Sequence, residues 1–423
     1  MFLIRDSRSL QDTRMFNFLK PLSKQQRKRK WHLYRSKNEA RRKQLIKICE
    51  NANDRFWHKI IRNAKRENIH NVTLWDKNGE QKAKCYCRAI NPPKQLCFTK
   101  NKHETYRFFS TLRRNLDKSI KSQISPYKKL KNGEIAIASY YDYSKIEYIS
   151  NACAVILATE YQRAAHYLGM VPPTVNLPDW NQDVFTALFE IGFFEIVGLS
   201  ENNYSLFNEN HNSHTKTLRI ICAENNDELD KIDKSLQELC NYCNTTGTPD
   251  ASAQLTSFLS AISEALTNVV QHAYPESLTL PPYTFKYCWV SASANKTSRL
   301  LNIAVYDHGV SIPVTYPKGE GMLTNIKSYI IKLNKKMKST SDTKRLDGPY
   351  IQAAMKFGAS QTKLPYRGQG LPQMYEPLKR SGNGTLSVYS RYGWCVRRSD
   401  YDLVNGTEKY PLTGTLIEWS VKF

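Results

Sequence analysis

The chain has 423 residues, 40% of them hydrophobic and 11% aromatic, which indicates a globular protein and excludes a disordered one. At about 100–200 residues per domain, this length predicts two or three domains. The formal net charge is +24. Neither a run of about 18–20 apolar residues nor a signal-peptide core occurs, so we expect no membrane span and a cytoplasmic protein.

The positive charge is concentrated in the first third of the chain. Residues 1–150 contain 36 Lys and Arg against 13 Asp and Glu, whereas residues 151–423 contain 26 against 25. This asymmetry predicts an anionic partner for the first third, either a nucleic acid or a membrane surface. It also predicts that this third is a separate structural unit.

Residues 20–70 contain no glycine and no proline after Pro21, which predicts a long helix or a pair of helices. Basic clusters at 27–30 and 41–43 are interleaved with aromatic residues. Such a pattern suits non-specific contact with a nucleic-acid backbone, which we expect over residues 20–130. The alternative is a solvated basic face on a helix that packs within its own domain.

Residues 70–132 are predicted to be mixed. An Asn78-Gly79 turn between two short apolar stretches is typical of a hairpin. His103–Ile124 is predicted to be an amphipathic basic helix. We therefore expect a basic, largely helical N-terminal region over residues 1–132, in which no catalytic motif is evident.

Residues 133–245 alternate between strand-like and helix-like patterns, including a strand at Thr217–Glu224 and a short helix that ends near Gly192. This alternation predicts an α/β unit. The short helix followed by an Ile-Gly-Phe-Phe turn resembles STAS domains, which often accompany ATPases of the anti-sigma type. The prediction for 133–245 is a STAS-like α/β domain.

The ten cysteines do not follow zinc-finger spacing. Cys85-x-Cys87 followed by Cys97, and Cys240-x2-Cys243, come closest, but a closed zinc site needs four ligands. We expect reduced structural thiols instead.

Leu255–Tyr274 is predicted to be a helix with one buried side. Glu264, Asn268 and His272 follow one another at intervals of four, which places them on one stripe of the other side. A carboxylate can orient a water molecule, and an amide oxygen can ligate Mg²⁺. The apolar side is predicted to consist of Leu255, Phe258, Leu259, Ile262, Leu266, Val269, Val270 and Ala273.

Three later motifs follow in order. In the first, an apolar strand ends at Asp307-x-Gly309. In the second, Gly368-x-Gly370-Leu371 precedes a helical pattern to Arg380, an arrangement that is suited to phosphate binding. In the third, Gly414-Thr415 precedes a strand. The remaining strands are predicted near Tyr283–Ser291, Thr385–Ser390 and Trp394–Arg397.

Together these motifs resemble the GHKL (histidine-kinase-like, Bergerat-fold) ATPase domain. The EALTNVVQHAY segment is most similar to the anti-sigma-factor kinase branch. The resemblance covers about 170 residues, and it implies an α+β fold over 246–423: a Bergerat-type α/β sandwich of a mixed sheet with helices on one face. It also implies that ATP and Mg²⁺ are the cofactors. Because many relatives dimerise, a homodimer is a further expectation.

The resemblance implies specific roles at the phosphate end of the site. Asn268 would ligate Mg²⁺ between the phosphates, and Glu264 would be the catalytic base that activates water. Gly368, Gly370 and the adjoining Leu371 would bring backbone N–H groups to the phosphates. Arg367 would add positive charge at the terminal phosphate.

At the adenine end, the resemblance implies that Asp307 accepts a hydrogen bond from the adenine amino group, and that Gly309 lets the base approach. Thr415 would support the base from the sheet. His272 would hold the lid or a second layer of contacts. The lid, from Val314 to about Pro365, is expected to order over the nucleotide.

The chain departs from the GHKL pattern at two positions, since Ser311 replaces the second glycine of Asp-x-Gly-x-Gly and Pro372 follows Gly-Leu. It has neither a phosphoacceptor histidine box nor a P-loop. Three hypotheses remain open: a Mg-ATP-dependent switch with slow hydrolysis, a serine/threonine protein kinase of the anti-sigma type, and a non-catalytic nucleic-acid-binding scaffold.

Overall fold

The computed structural model describes residues 36, 39–40, 52–76, 79–199, 214–223, 228–242, 249–318, 324–336, 346–358, 370–399 and 402–422. The chain divides into two compact units, 1–58 and 59–423. The described residues of the first unit are helical. The basic clusters predicted at 27–30 and 41–43 lie outside the described residues.

The second unit is an α+β structure. Its strands are β1 (His70–Asp76), β2 (Gly79–Cys85), β3 (Gln95–Leu96), β4 (Tyr127–Lys129), β5 (Ile135–Ile137), β6 (Tyr148–Ile149), β7 (Thr174–Val175), β8 (Thr215–Thr217), β9 (Ile221–Ala223), β10 (Cys288–Asn295), β11 (Leu300–Asp307), β12 (Gly384–Arg398) and β13 (Val404–Lys422).

Its helices are α1 (Lys102–Ser122), α2 (Asn151–Leu168), α3 (Gln182–Glu190), α4 (Phe193–Ile196), α5 (Leu229–Tyr242), α6 (Pro249–Asn268), α7 (Ile312–Thr315), α8 (Thr324–Lys336), α9 (Asp347–Phe357), α10 (Gly370–Gln373) and α11 (Glu376–Ser381). A π-helical turn, Val269–Ala273, extends α6. Among the described residues, no helix is both long and apolar enough to cross a membrane.

Sheet 1 has the strand order β4-β5-β2-β1-β7 and is mixed, since β2 and β5 are parallel while β1 and β2 form an antiparallel hairpin. In this hairpin Asp76 pairs with Gly79, which confirms the hairpin predicted from Asn78-Gly79. Because β2 and β5 pair, sheet 1 spans the boundary predicted between residues 132 and 133.

Sheet 2 has the order β12-β13-β11-β10-β8, with β9 also paired to β10, and its described pairings are all antiparallel. The mixed sheet predicted for 246–423 is therefore not observed there. Strands β8 and β9 come from 133–245, so sheet 2 also spans the second predicted boundary. Strand β6 pairs with β3 in a separate two-stranded sheet, so the strands of the segment interpreted as STAS-like are divided among three sheets.

Both faces of sheet 2 are buried, whereas the sequence predicted helices on one face. Side chains alternate between faces along a strand: on β13, Leu416 belongs to the core shared with α1 and α2, while Ile417 belongs to the core shared with α5 and α6. Helices α1 and α2 cover the first face and α5, α6, α9 and α11 the second. Helices N-terminal to residue 246 therefore supply one whole layer of this α/β/α arrangement.

Candidate functional site

Asp307 is the last residue of β11, a central strand of sheet 2. Its neighbours across the ladder are Cys288 on β10 and Thr415 on β13. Because directly paired residues share a face, the three side chains lie with Val305 and Ile417 on the face that packs against α6. The topology thus places the predicted acid and threonine beside the predicted Asn-bearing helix.

The carboxylate of Asp307 is buried, with 5% of the residue exposed. The Gly309 N–H donates to Asp307 Oδ1 at 2.6 Å, and the backbone of Thr415 supplies a second hydrogen bond. Burial raises the pKa of Asp307 to about 7, against the lowering effect of these two hydrogen bonds. A carboxylate offers about four lone-pair sites, so it retains the capacity to accept from a bound ligand.

Gly414 makes the close approach of β13 to Asp307 possible. Its φ is +75°, and a Cβ there would lie 1.7 Å from the Asp307 backbone oxygen. Beside it, the Thr415 and Ser390 hydroxyls are 2.9 Å apart, and Ser390 Oγ also accepts from the Ile312 N–H at 3.0 Å. This hydroxyl pair fixes the orientation of the Thr415 side chain next to the acid.

Gly309 brings the turn after β11 against the π-helical turn. A Cβ on Gly309 would lie 2.5 Å from the Ala273 oxygen, and the Val310 N–H donates to that same oxygen at 2.9 Å. The close approach that Gly309 permits in the structure is to Ala273, and its approach to an adenine base stays a prediction.

Ser311 has a backbone conformation that glycine adopts far more readily than serine. Its φ and ψ are +84° and 146°, a region that is essentially restricted to glycine and destabilises other residues by about 1–3 kcal/mol. Ser311 Oγ donates to the Gly414 oxygen at 3.1 Å, which links the turn to β13.

Helix α6 presents Glu264 and Asn268, both half-buried, on adjacent turns. Asn268 Nδ2 donates to the Glu264 backbone oxygen at 2.8 Å and approaches Glu264 Oε1 at 3.4 Å. Because the amide nitrogen is held within the helix, the amide oxygen is the atom available to ligate a cation. Phe258, Ile262 and Leu266 are buried, as the sequence predicted.

The predicted stripe does not continue in register to His272. The π-helical turn Val269–Ala273 begins directly after Asn268, and residues four apart no longer align in a π turn. Val270, predicted to be buried, is accordingly 57% exposed. His272 is half-buried, and burial lowers its pKa, so the imidazole is neutral at pH 7.

The second glycine motif is described only from Gly370 onward. Gly370 begins the short helix α10, which packs against α6, and Leu371 is buried in the same core. Arg367 and Gly368 lie outside the described residues, as do parts of the predicted lid. The described parts of the lid form α7, α8 and α9.

Sequence analysis missed a buried ionic cluster that adjoins Asp307. Glu160 Oε1 accepts from Arg113 Nη1 at 2.8 Å, and Oε2 accepts from Arg163 Nη2 at 2.7 Å. The next residue after Asp307, His308, is fully buried with Nε2 3.5 Å from Glu160 Oε1. Burial lowers the pKa of His308 to about 4, so it is neutral. The sequence feature that could have indicated this cluster is the pair Glu160 and Arg163 inside the largely apolar helix α2.

The donor set can be tested against the cofactors that the motifs imply. In the described part of the chain, no group of three or more His, Cys, Asp or Glu side chains could hold a metal ion. A Mg²⁺ ion carried by a nucleotide needs few protein ligands, because phosphates and waters complete its shell. The Asn268 amide oxygen fits that requirement.

Comparison with known proteins adds no assignment, since no family model and no curated protein match this chain.

Proposed function

We propose that residues 246–423 bind Mg-ATP and act as a nucleotide-dependent switch with slow ATP hydrolysis. The observation that carries this proposal is the juxtaposition of the Asp307–Thr415 pair with the Asn268-bearing helix on one face of sheet 2. These motifs are separated by up to about 150 residues in the sequence, and their order alone does not require them to meet.

At the adenine end, Asp307 accepts the exocyclic amino group, because a buried carboxylate with spare lone pairs favours an N–H donor. Thr415, oriented by Ser390, contacts the neighbouring edge of the base. This arrangement discriminates against guanine, which presents an oxygen where adenine presents the amino group, and two acceptors would then face each other.

At the phosphate end, Asn268 contributes its amide oxygen to the metal that accompanies the triphosphate. Bound Mg²⁺ neutralises phosphate charge and polarises the terminal phosphoryl group. Gly370 lies at the start of α10, which packs against α6, so a phosphate held there would contact both helices.

Glu264 would orient the attacking water. It is half-buried one turn before Asn268, with Oε1 3.4 Å from Asn268 Nδ2. A carboxylate in this position accepts a proton from water and leaves the amide oxygen of Asn268 facing the metal.

The test is calorimetry of ATP binding to the full chain, with Mg²⁺ and with EDTA. Binding by wild type is expected to need Mg²⁺, and Asn268→Ala should weaken it at least tenfold, while the control Asn383→Ala, at an exposed asparagine, should not. Glu264→Ala should retain binding and lose phosphate release, unlike Glu238→Ala on α5. Equal binding by Asn268→Ala and wild type would overturn the assignment, and labelled phosphate transferred to another protein would favour the kinase alternative.

A further inference from the structure

A cavity of about 610 Å³ lies beside α1, and its lining includes none of the residues assigned to the nucleotide. Its walls combine four cationic side chains with one carboxylate, an aromatic ring and two prolines. The lining residues are Ser110, Arg113, Arg114, Asp117, Lys118, Lys121, Pro282, Tyr283, Pro411 and Thr413. The volume is within the range of about 300–1,000 Å³ typical of ligand sites.

The single carboxylate of this cavity is already neutralised. Asp117 Oδ1 accepts from Arg163 Nη1 at 2.8 Å and lies 3.4 Å from Arg113 Nε. Arg113 in turn is bound to Glu160, and its Nη2 donates to the Pro282 oxygen at 3.2 Å. The floor of the cavity is therefore balanced in charge and fixed in position.

Three cations at the rim have no such partner. Arg114, Lys118 and Lys121 are exposed, and no carboxylate within the described parts of the chain forms an ion pair with them. Their spacing of four and three residues places them on one face of α1 over about 10 Å. Like charges at this spacing repel one another, so the rim favours an anion with several charges along its length.

Tyr283, which also lines the cavity, supplies an aromatic surface. Tyr283 has φ of +53°, which is uncommon for a bulky residue, and its ring lies 5.6 Å from that of Tyr167. Tyr167 donates from its hydroxyl to the Thr284 oxygen at 2.8 Å, which holds the loop in place. A positively charged groove beside an aromatic ring is the combination that binds single-stranded nucleic acid: phosphates contact the cations and a base stacks on the ring.

We propose that this cavity binds a segment of single-stranded nucleic acid, with its phosphates along Arg114, Lys118 and Lys121 and a base against Tyr283. A nucleic-acid strand fits this cavity better than a free nucleotide does, because three successive turns of α1 each present an unpaired cation. No base-edge reader is required, so recognition depends on charge and stacking. The lining of this site shares no residue with the proposed ATP site.

The experiment uses the full chain without ATP and a tetranucleotide containing 5-iodouridine. Irradiation should cross-link the probe to the peptide that contains Tyr283, and mass spectrometry identifies that peptide. The triple variant Arg114→Ala, Lys118→Ala, Lys121→Ala should lose this cross-link at least tenfold. A matched triple control, Lys231→Ala, Lys234→Ala, Lys422→Ala, removes three exposed charges elsewhere and should retain it.

Fluorescence anisotropy with a labelled oligonucleotide adds a second readout. Each lost phosphate contact lowers the slope of log K against log salt by about 0.7 for single strands, so the triple variant should lower it by about 2. Tyr283→Ala should weaken binding roughly tenfold with no change in slope. Cross-links confined to other peptides, an unchanged slope in the triple variant, or equally strong competition by a mononucleotide would overturn the proposal.

Discussion

Asp307→Asn should stabilise the protein at pH 8 while removing ATP binding. Burial raises the pKa of Asp307 from 3.8 to about 7. Between these two pH values the folded state holds a proton that the unfolded state has released. Stability therefore falls as pH rises through this window, and the full loss is present above pH 7.

The size of the effect follows from the shift in pKa. About three pKa units correspond to roughly 4 kcal/mol at 1.36 kcal/mol per unit. The amide removes the buried charge and keeps an oxygen for the Gly309 N–H, although its hydrogen bonds are weaker than those of a carboxylate. We therefore expect a net stabilisation of about 1–3 kcal/mol at pH 8 and a value about 2.5 kcal/mol lower at pH 5, because about two of the three pKa units lie above pH 5.

The assay is urea unfolding followed by tryptophan fluorescence, since Trp289 and Trp419 are fully buried in sheet 2. Asp402→Asn, at an exposed aspartate, is the control and should change stability by less than about 0.5 kcal/mol. A loss of stability at pH 8, or the same difference at both pH values, would refute the reasoning. If Asp307 were purely structural, Asp307→Asn would lower both stability and ATP binding. If Asp307 binds the ligand, Asp307→Asn should raise stability at pH 8 and remove ATP binding.

Three further predictions concern the surroundings of the site. Glu160→Gln leaves two buried guanidinium groups with too little counter-charge and should lower stability by about 3–5 kcal/mol in urea unfolding. The control Glu195→Gln breaks an exposed ion pair and should lower stability by about 0–1 kcal/mol. Equal effects would contradict the conclusion that the Glu160 ion pairs are buried. Ser311→Gly should change stability by less than about 1 kcal/mol, because it loses the hydroxyl and relieves the strain. Ser311→Ala should be about 1–2 kcal/mol less stable than Ser311→Gly, because both lose the hydroxyl and only alanine keeps the strain; the reverse order would exclude strain at φ +84°. Gly414→Ala should weaken ATP binding at least tenfold in calorimetry, since its Cβ would displace the Asp307 backbone; unchanged affinity would show that this contact is not needed.

The pKa of Glu160 gives the buried cluster a defined pH response. Burial alone would raise this pKa, but Arg113 and Arg163 hold it well below its ordinary range. A depressed pKa contributes stability above the unfolded value near 4.3 that is lost only when pH falls through the lower folded value. Acid unfolding of wild type should therefore begin below pH 4 at this cluster, and Glu160→Gln should remove that part of the pH dependence.

Local features of the fold could be predicted from the sequence. The hairpin at Asn78-Gly79 and the helix predicted at His103–Ile124, observed at Lys102–Ser122, depend on turn chemistry and period, which act over a few residues. The strands predicted at Thr385–Ser390 and Trp394–Arg397 form one strand, β12, because a bulge near Arg391 shifts the register without ending the pairing.

Long-range features could not be predicted in the same way. An alternating apolar and polar pattern indicates that one face of a strand is buried, and it does not identify what covers either face. Helices α1 and α2 cover one face of sheet 2 from more than 100 residues away, and β8 and β9 join it from outside the predicted domain. The Glu160 cluster was missed for the same reason, since Arg113 and His308 meet it only in the folded chain.

The candidate site was partly predictable, because each of its motifs places its functional residues within a few positions of one another in the sequence. Strand β11 ends at Asp307, just before Gly309, and Thr415 directly follows Gly414 within β13, so both paired residues stand beside a recognisable glycine. The position of His272 was not predictable, because a π-helical turn has no recognisable sequence signature. Such a turn changes the direction of the side chains that follow it around the helix axis. The conformation of Ser311 was likewise hidden, since serine does not indicate a positive φ.

The most direct measurement is calorimetric titration of the full chain with ATP and with GTP in the presence of Mg²⁺ at pH 8. If Asp307 and Thr415 hold adenine, ATP should bind at least a hundredfold more tightly than GTP, and Asp307→Asn should remove the ATP signal. Equal binding of the two nucleotides, or no binding of ATP by wild type, would contradict the assignment of this face of sheet 2 as an ATP site.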